Sequence, residues 1–112
     1  MPTDGGNGGG FSEVIHAPLR LRICGLLRSV DELDFAVLRD TLGVSDATLS
    51  KHLKTLADVG LIASTKTASA ARGDSRRITW LRITPDGRSA FDDHVRALRQ
   101  IAAGFDVPEP SR

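Results

Sequence analysis

Two sets of polar side chains in this 112-residue chain have types and spacings that could do chemistry. The first lies in the run SDATLSKHLKTL at 45–56, where Leu49, Leu53 and Leu56 recur at spacings of four and three. At about 100° per residue these leucines share one helical face, which puts Ala47, Lys51, Lys54, Thr55 and Asp58 opposite, flanked by Thr48 and Ser50. Small side chains let a helix backbone approach a partner closely, while hydroxyl and ammonium groups supply hydrogen-bond donors. The major groove of DNA makes both demands: it admits one α-helix and is read from that helix's N-terminal half. Ser45, Ala47, Thr48, Ser50, Lys51, Lys54 and Thr55 are therefore the candidate recognition residues. A solvated helix face is the plainer reading of the same strip, so the flanking elements have to decide.

The second set is basic. Lys66, Arg72, Ser75, Arg76 and Arg77 cluster around a small-residue turn at 68–75, with Asp74 the main opposing charge and Gly73 free to turn sharply. Such a loop can lie against phosphates or enter a minor groove, where arginine is favoured. The formal net charge is only +1, so the case for a polyanionic partner rests on this local clustering.

Other chemistries find little support. No Gly-rich phosphate loop follows a strand, and neither a nucleophile elbow nor a His-Glu-x-x-His motif occurs. The expectation is a protein with no catalytic residues and no cofactor. Cys24, the single cysteine, cannot form an internal disulfide or a Cys-only zinc site. It reads as a small buried hydrophobe, although Arg20 and Arg28 one turn away keep a redox-sensing variant open.

The elements that must position these residues follow from the apolar spacing. Pro18 suits the first position of a helix to Arg28, with Leu19, Ile23, Leu26, Leu27 and Val30 on one stripe and Leu21 and Cys24 on the far side. Asp34 is placed to cap a helix over Phe35–Leu42, which Gly43 ends. Only Gly43, Val44 and Ser45 then separate it from the helix at 45–59, a tight helix–turn–helix joint closed by Gly60. Strands at 61–67 and 76–84 form a hairpin with Thr79, Leu81 and Ile83 inward and Trp80 partly covered. Thr84-Pro85 starts a last helix at 85–105, along which Phe91, Val95, Leu98, Ala102 and Phe105 recur at fours and threes. That seam, with Leu21, marks a candidate subunit interface.

The order helix, helix, tight turn, helix, basic hairpin is a winged helix–turn–helix: mainly α with a small β-hairpin, spanning 11–105 between a Gly-rich tail at 1–10 and a second tail at 106–112. With 40% hydrophobic and 26% charged residues the composition fits one globular domain. No run approaches the roughly 20 apolar residues that span a bilayer and no secretion signal is visible, so a cytoplasmic location is expected.

Three stretches carry a resemblance to known proteins: HAPLRLRICGLL (16–27), FAVLRDTLGVSDATLSKHLKTLADVGLI (35–62) and ITPDGRSAF (83–91). Together they resemble short, single-domain transcriptional regulators of the MarR/ArsR kind. That resemblance implies a homodimer on a palindromic operator in double-stranded DNA, usually repressing, with the first and last helices at the dimer interface. Some ArsR relatives sense metals, and Asp92-Asp93-His94 is similar to half of one such site. The second half is missing, because Gln100, Ala102, Ala103 and Gly104 stand where further ligands belong, and His16 and His52 are not obvious partners. An exposed histidine beside two helix-surface acids is the expectation there, with no metal. The rival class is a winged-helix protein-interaction module, which Asp46 and Asp58 keep open by diluting the charge of the third helix. Nothing in the sequence names an effector.

Overall fold

The computed structural model describes residues 10–68 and 77–104. Its elements are α1 (Glu13–His16), α2 (Pro18–Arg28), β1 (Leu33–Asp34), α3 (Phe35–Leu42), α4 (Asp46–Asp58), β2 (Ile62–Ala68), β3 (Arg77–Ile83) and α5 (Pro85–Gly104). Mostly helical, with one small antiparallel sheet, this is the winged-helix architecture expected. Two elements go beyond that expectation. The four-residue α1 precedes α2, and β1 makes the hairpin a three-stranded sheet in the order β1-β3-β2.

Local chemistry sets the helix ends. Asp34 closes β1 and caps α3 at once, its Oδ1 accepting from the Ala36 N–H at 2.7 Å. Gly43 takes the left-handed conformation (φ 71°) that ends α3, and its N–H returns to the Arg39 carbonyl at 2.9 Å. Ser45 Oγ caps α4 by accepting from the Thr48 N–H at 3.1 Å. At the other end Gly60 (φ 78°) donates to the Ala57 carbonyl and Leu61 to that of Leu56, the pair of bonds that defines a Schellman stop.

The core lies between the helices and the inner face of the sheet. Leu49, Leu53 and Leu56 of α4 are buried against Ile23 and Leu27 of α2, Leu38 and Leu42 of α3, and Ile62, Leu81 and Ile83 of the sheet. Each such side chain contributes about 1.5–3 kcal/mol by leaving water. Cys24 belongs to this core, with no exposed surface, which corrects its expected place on the far side of α2. Leu21, by contrast, is only half-buried. On β3 the alternation read for it holds at the end of the strand, where Leu81 and Ile83 are buried and Arg82 exposed, whereas Ile78, Thr79 and Trp80 are all half-buried; Trp80 Nε1 donates to Thr67 Oγ1 at 3.2 Å.

One junction ties the end of α4 and the sheet to the last helix. The Thr84 hydroxyl donates its one proton to the Gly60 carbonyl (2.7 Å), with the Leu61 carbonyl oxygen also within 3.1 Å, and Oγ1 accepts from the Gly87 N–H (2.9 Å). Gly87 is buried so closely under β2 that a Cβ there would strike the Leu61 carbonyl oxygen and lie 2.7 Å from Ile83 Cγ1. The end of α4, the entry to the wing and the start of α5 are thus held at one point.

Candidate nucleic-acid interface

The polar strip of α4 faces away from the core. Ser45, Ala47, Ser50, Lys51 and Lys54 are exposed, while Thr48 and Thr55 are half-buried at its flanks. Several of the hydroxyls already have work within the helix. Ser45 Oγ caps the N-terminus and donates to Thr48 Oγ1 at 3.1 Å, and Thr55 Oγ1 donates to the Lys51 carbonyl at 3.2 Å. Lys54 Nζ sits 3.2 Å from a carboxylate oxygen of Asp58, one turn on, whereas no ion pair of Lys51 occurs among the described residues. Among the described residues the face therefore offers Ser50 and Lys51 as unengaged donors, with Ala47 exposed beside them.

The wing joins this face. Between α4 and the sheet runs a groove of about 420 Å³, floored by Leu53, Ile62 and Leu81 and rimmed by Ser50, Lys54 and Lys66. Helix and hairpin residues thus share one concave surface. Lys66 is exposed on β2 and Arg77 is exposed on β3, two residues apart in register, since Thr79 pairs with Lys66 and Arg77 with Ala68. Arg72, Ser75 and Arg76 lie outside the described residues.

Sequence reading missed Arg39. Its Nε and Nη1 reach Asp40 Oδ1 (2.9 Å) and Asp46 Oδ1 (2.8 Å), which hold the guanidinium still more firmly protonated than usual. It bridges α3 to the first turn of α4 and offsets the negative charge of Asp46 on the face that would meet phosphates. The available signal was an arginine seven residues before Asp46 across a three-residue turn. His52, at the edge of the buried face, is also engaged. Arg20 Nη1 lies 3.1 Å from its Nδ1, and because guanidinium only donates, that nitrogen accepts. Burial, then Arg20, then Lys51 lower the His52 pKa, so it adds no charge to the face near neutral pH.

On α5, Phe91, Val95 and Leu98 are half-buried, Ala102 is exposed, and Phe105 lies outside the described residues. Ile101, left out of the expected seam, is 46% exposed between Leu98 and Ala102 and extends the same apolar strip. The Asp92-Asp93-His94 run departs from expectation. Asp92 receives both Nε and Nη2 of Arg28 (3.0 and 3.1 Å), Asp93 pairs with Arg96 (2.9 Å), and His94 is fully buried rather than exposed. The carboxylate of Asp92 is held below its usual pKa, first by the Arg28 hydrogen bonds. Burial pushes the Cys24 thiol up to about 11, against a smaller opposing effect of Arg20. A thiol so held carries almost no thiolate near neutral pH, which removes the support for the redox variant.

Comparison with known proteins agrees with this geometry. The family described as "Winged helix DNA-binding domain" matches residues 19–102. The uncharacterized protein MJ0432 of Methanocaldococcus jannaschii is 27% identical over 94 residues, covering 84% of this chain and 98% of that protein. Among solved structures, a transcriptional regulator homologue protein from Pyrococcus horikoshii OT3 superposes with a TM-score of 0.77 at 23% identity, covering 86% of this chain and 91% of that one. The zinc-responsive MarR family member ZitR of Lactococcus lactis superposes at 0.58 and 21% identity, over 84% of this chain and 61% of its own. No helix among the described residues is long and apolar enough to cross a membrane. The fold is that of the MarR-like regulators, and the chain belongs to the winged-helix DNA-binding domain family.

Proposed function

We propose that the protein is a homodimeric, sequence-specific DNA-binding transcriptional regulator, a repressor in its usual mode. α4 enters the major groove and the β2–β3 hairpin reaches the flanking phosphates or minor groove. The observation that carries this reading is the shared concave surface on which Ser50, Lys54 and Lys66 meet, beside the exposed Lys51. A helix alone would be an amphipathic helix; a helix and a basic hairpin rimming one groove give a duplex two points of contact. Ser50, Lys51 and Lys54 then work at base edges or phosphates, Ala47 sets the approach, and Lys66 and Arg77, with Arg72 and Arg76 beyond them, hold the backbone.

The second copy is called for by α5. Leu98, Ile101 and Ala102 form an apolar strip beyond the part of the helix that covers the core, and a like strip on another copy would bury it. Retention of genomic fragments at physiological salt, followed by footprinting, tests the whole reading: protection of two inverted half-sites is expected. Lys66→Ala with Arg77→Ala should weaken binding and flatten its salt dependence by about 0.9 for each phosphate no longer neutralised. An unaltered salt slope would remove the wing from the interface, and no retained fragment even at low salt would favour a protein-docking module.

A further inference from the structure

One buried titratable group plays no part in that interface. His94 sits in the middle of α5 without exposed surface. Its Nδ1 accepts a hydrogen bond from the Ser12 backbone N–H at 2.9 Å, a contact 82 residues apart in sequence. An imidazole nitrogen that accepts carries no proton, so the neutral ring is the Nε2–H tautomer, and that Nε2 is buried with no hydrogen-bond partner among the described residues. The rings of Phe11 and His16 flank it, with centroids 4.8 and 5.4 Å away.

The segment that His94 holds cannot order itself. α1 has four residues, far below the length at which a helix is stable alone, so tertiary contacts must keep it in place. Gly10 (φ 105°) lies so close to α5 that a Cβ there would come within 2.8 Å of Asp93 Cβ. Ser12 Oγ caps α1, Arg20 Nε donates to the Val14 carbonyl at 2.6 Å, and Ile15 fills the core. Of these polar contacts, the Ser12–His94 bond is the one that ties the arm to α5.

We propose that His94 is a proton-operated latch: neutral, it holds residues 10–16 on α5 through the Ser12 amide, and protonated, it lets that arm go. A protonated ring carries N–H on both nitrogens, so Nδ1–H would oppose the Ser12 N–H, donor against donor. The cation would also stand in a dry site beside His16. Burial first and His16 second lower the His94 pKa, against a smaller opposing effect of Glu13. The remaining charges nearby are already engaged, Asp93 with Arg96 on α5 and Arg20 of α2 with Val14 and His52. With its folded pKa below its unfolded one, His94 contributes stability that is present above the ordinary histidine range. That stability is lost as pH falls through the lower, folded value. Release would withdraw Ile15 from between α2, α4 and α5, so the latch couples proton concentration to the packing behind the DNA-facing helix. It rests on the fold and would hold even if the partner were not DNA.

Amide exchange of residues 12–16 in the whole protein, corrected for its intrinsic pH dependence, tests the latch. Protection should be high near pH 7.5, fall by up to about tenfold per unit from the ordinary histidine range down to the lower His94 midpoint, and level off below it. His94→Asn keeps an acceptor that does not titrate there and should preserve protection at about pH 5; His16→Gln should leave the loss in place. In the wild type, nitrogen NMR of the imidazoles should find His94 as the Nε2–H tautomer, titrating together with arm release. Protection indifferent to pH, loss that persists in His94→Asn or vanishes in His16→Gln, or an Nδ1–H tautomer would overturn the proposal.

Discussion

Lys51 and Lys54 look equivalent in the sequence, one turn apart on the same face, yet their surroundings differ. Lys54 is 76% exposed but shares its charge with Asp58, whereas Lys51 has no such neighbour among the described residues. An exposed pair of this kind contributes little to stability, though it does offset charge where a phosphate would sit. Lys51→Ala is therefore expected to weaken operator binding more than Lys54→Ala, and Asp58→Asn to tighten non-specific binding by releasing Lys54. Fluorescence anisotropy on a duplex across a salt series reads both effects; equal weakening by the two substitutions would show the ion pair is open in the complex. The exposed polar face of α4 was legible because a helix of period 3.6 displays it directly in the spacing of Leu49, Leu53 and Leu56. The prior engagement of Thr48 and Thr55 was not, since those bonds depend on rotamers. Nor was the burial of His94, which comes from an arm 82 residues away in sequence.

At the scale of elements, legibility followed the range of the forces. The ends at Pro18, Asp34, Gly43, Ser45, Gly60 and Pro85 were readable because caps and stops act within four or five residues. β1 was not, because two residues carry no period of their own and become a strand only by pairing Leu33 with Leu81 and Asp34 with Trp80. α1 escaped for the same reason, being a helix only where α5 receives it. The Thr84 junction is the strongest case of a close approach fixed by sequence. Gly87→Ala suits a helix intrinsically, yet the added Cβ meets the Leu61 carbonyl, backbone that can yield only by moving the wing relative to α5. Overpacking of this kind costs about 1–3 kcal/mol, and thermal melting should register a fall of several degrees per kcal/mol. Gly104→Ala, with no atom within 4 Å of its added Cβ, is the control and should raise the melting temperature slightly or leave it unchanged. A neutral Gly87→Ala would mean that the junction is loose in solution.

Taken whole, the molecule has a core just large enough for its helices and a last helix that outruns it. Residues 99–104 of α5 are exposed throughout, and within them Ile101 stands 46% exposed beside Ala102. A helix end of this composition is stable when packed and frays when alone, so the dimer and the order of α5 should be one equilibrium. The melting temperature is thus expected to rise with protein concentration, and sedimentation to give twice the chain mass. Leu98→Glu with Ile101→Glu places charge in the strip without touching α4 or the wing. It should yield a monomer whose melting no longer depends on concentration. DNA binding then separates the two halves of the reading. A dimer binding two half-sites one helical turn apart, about 34 Å, gains the effective concentration of its second subunit. The monomer should lose that gain, roughly 100-fold or more, while keeping the salt slope of a single half-site. A wild-type chain that sediments as a monomer would take α5 out of the interface. A charged variant that binds the full site undiminished would take the dimer out of recognition.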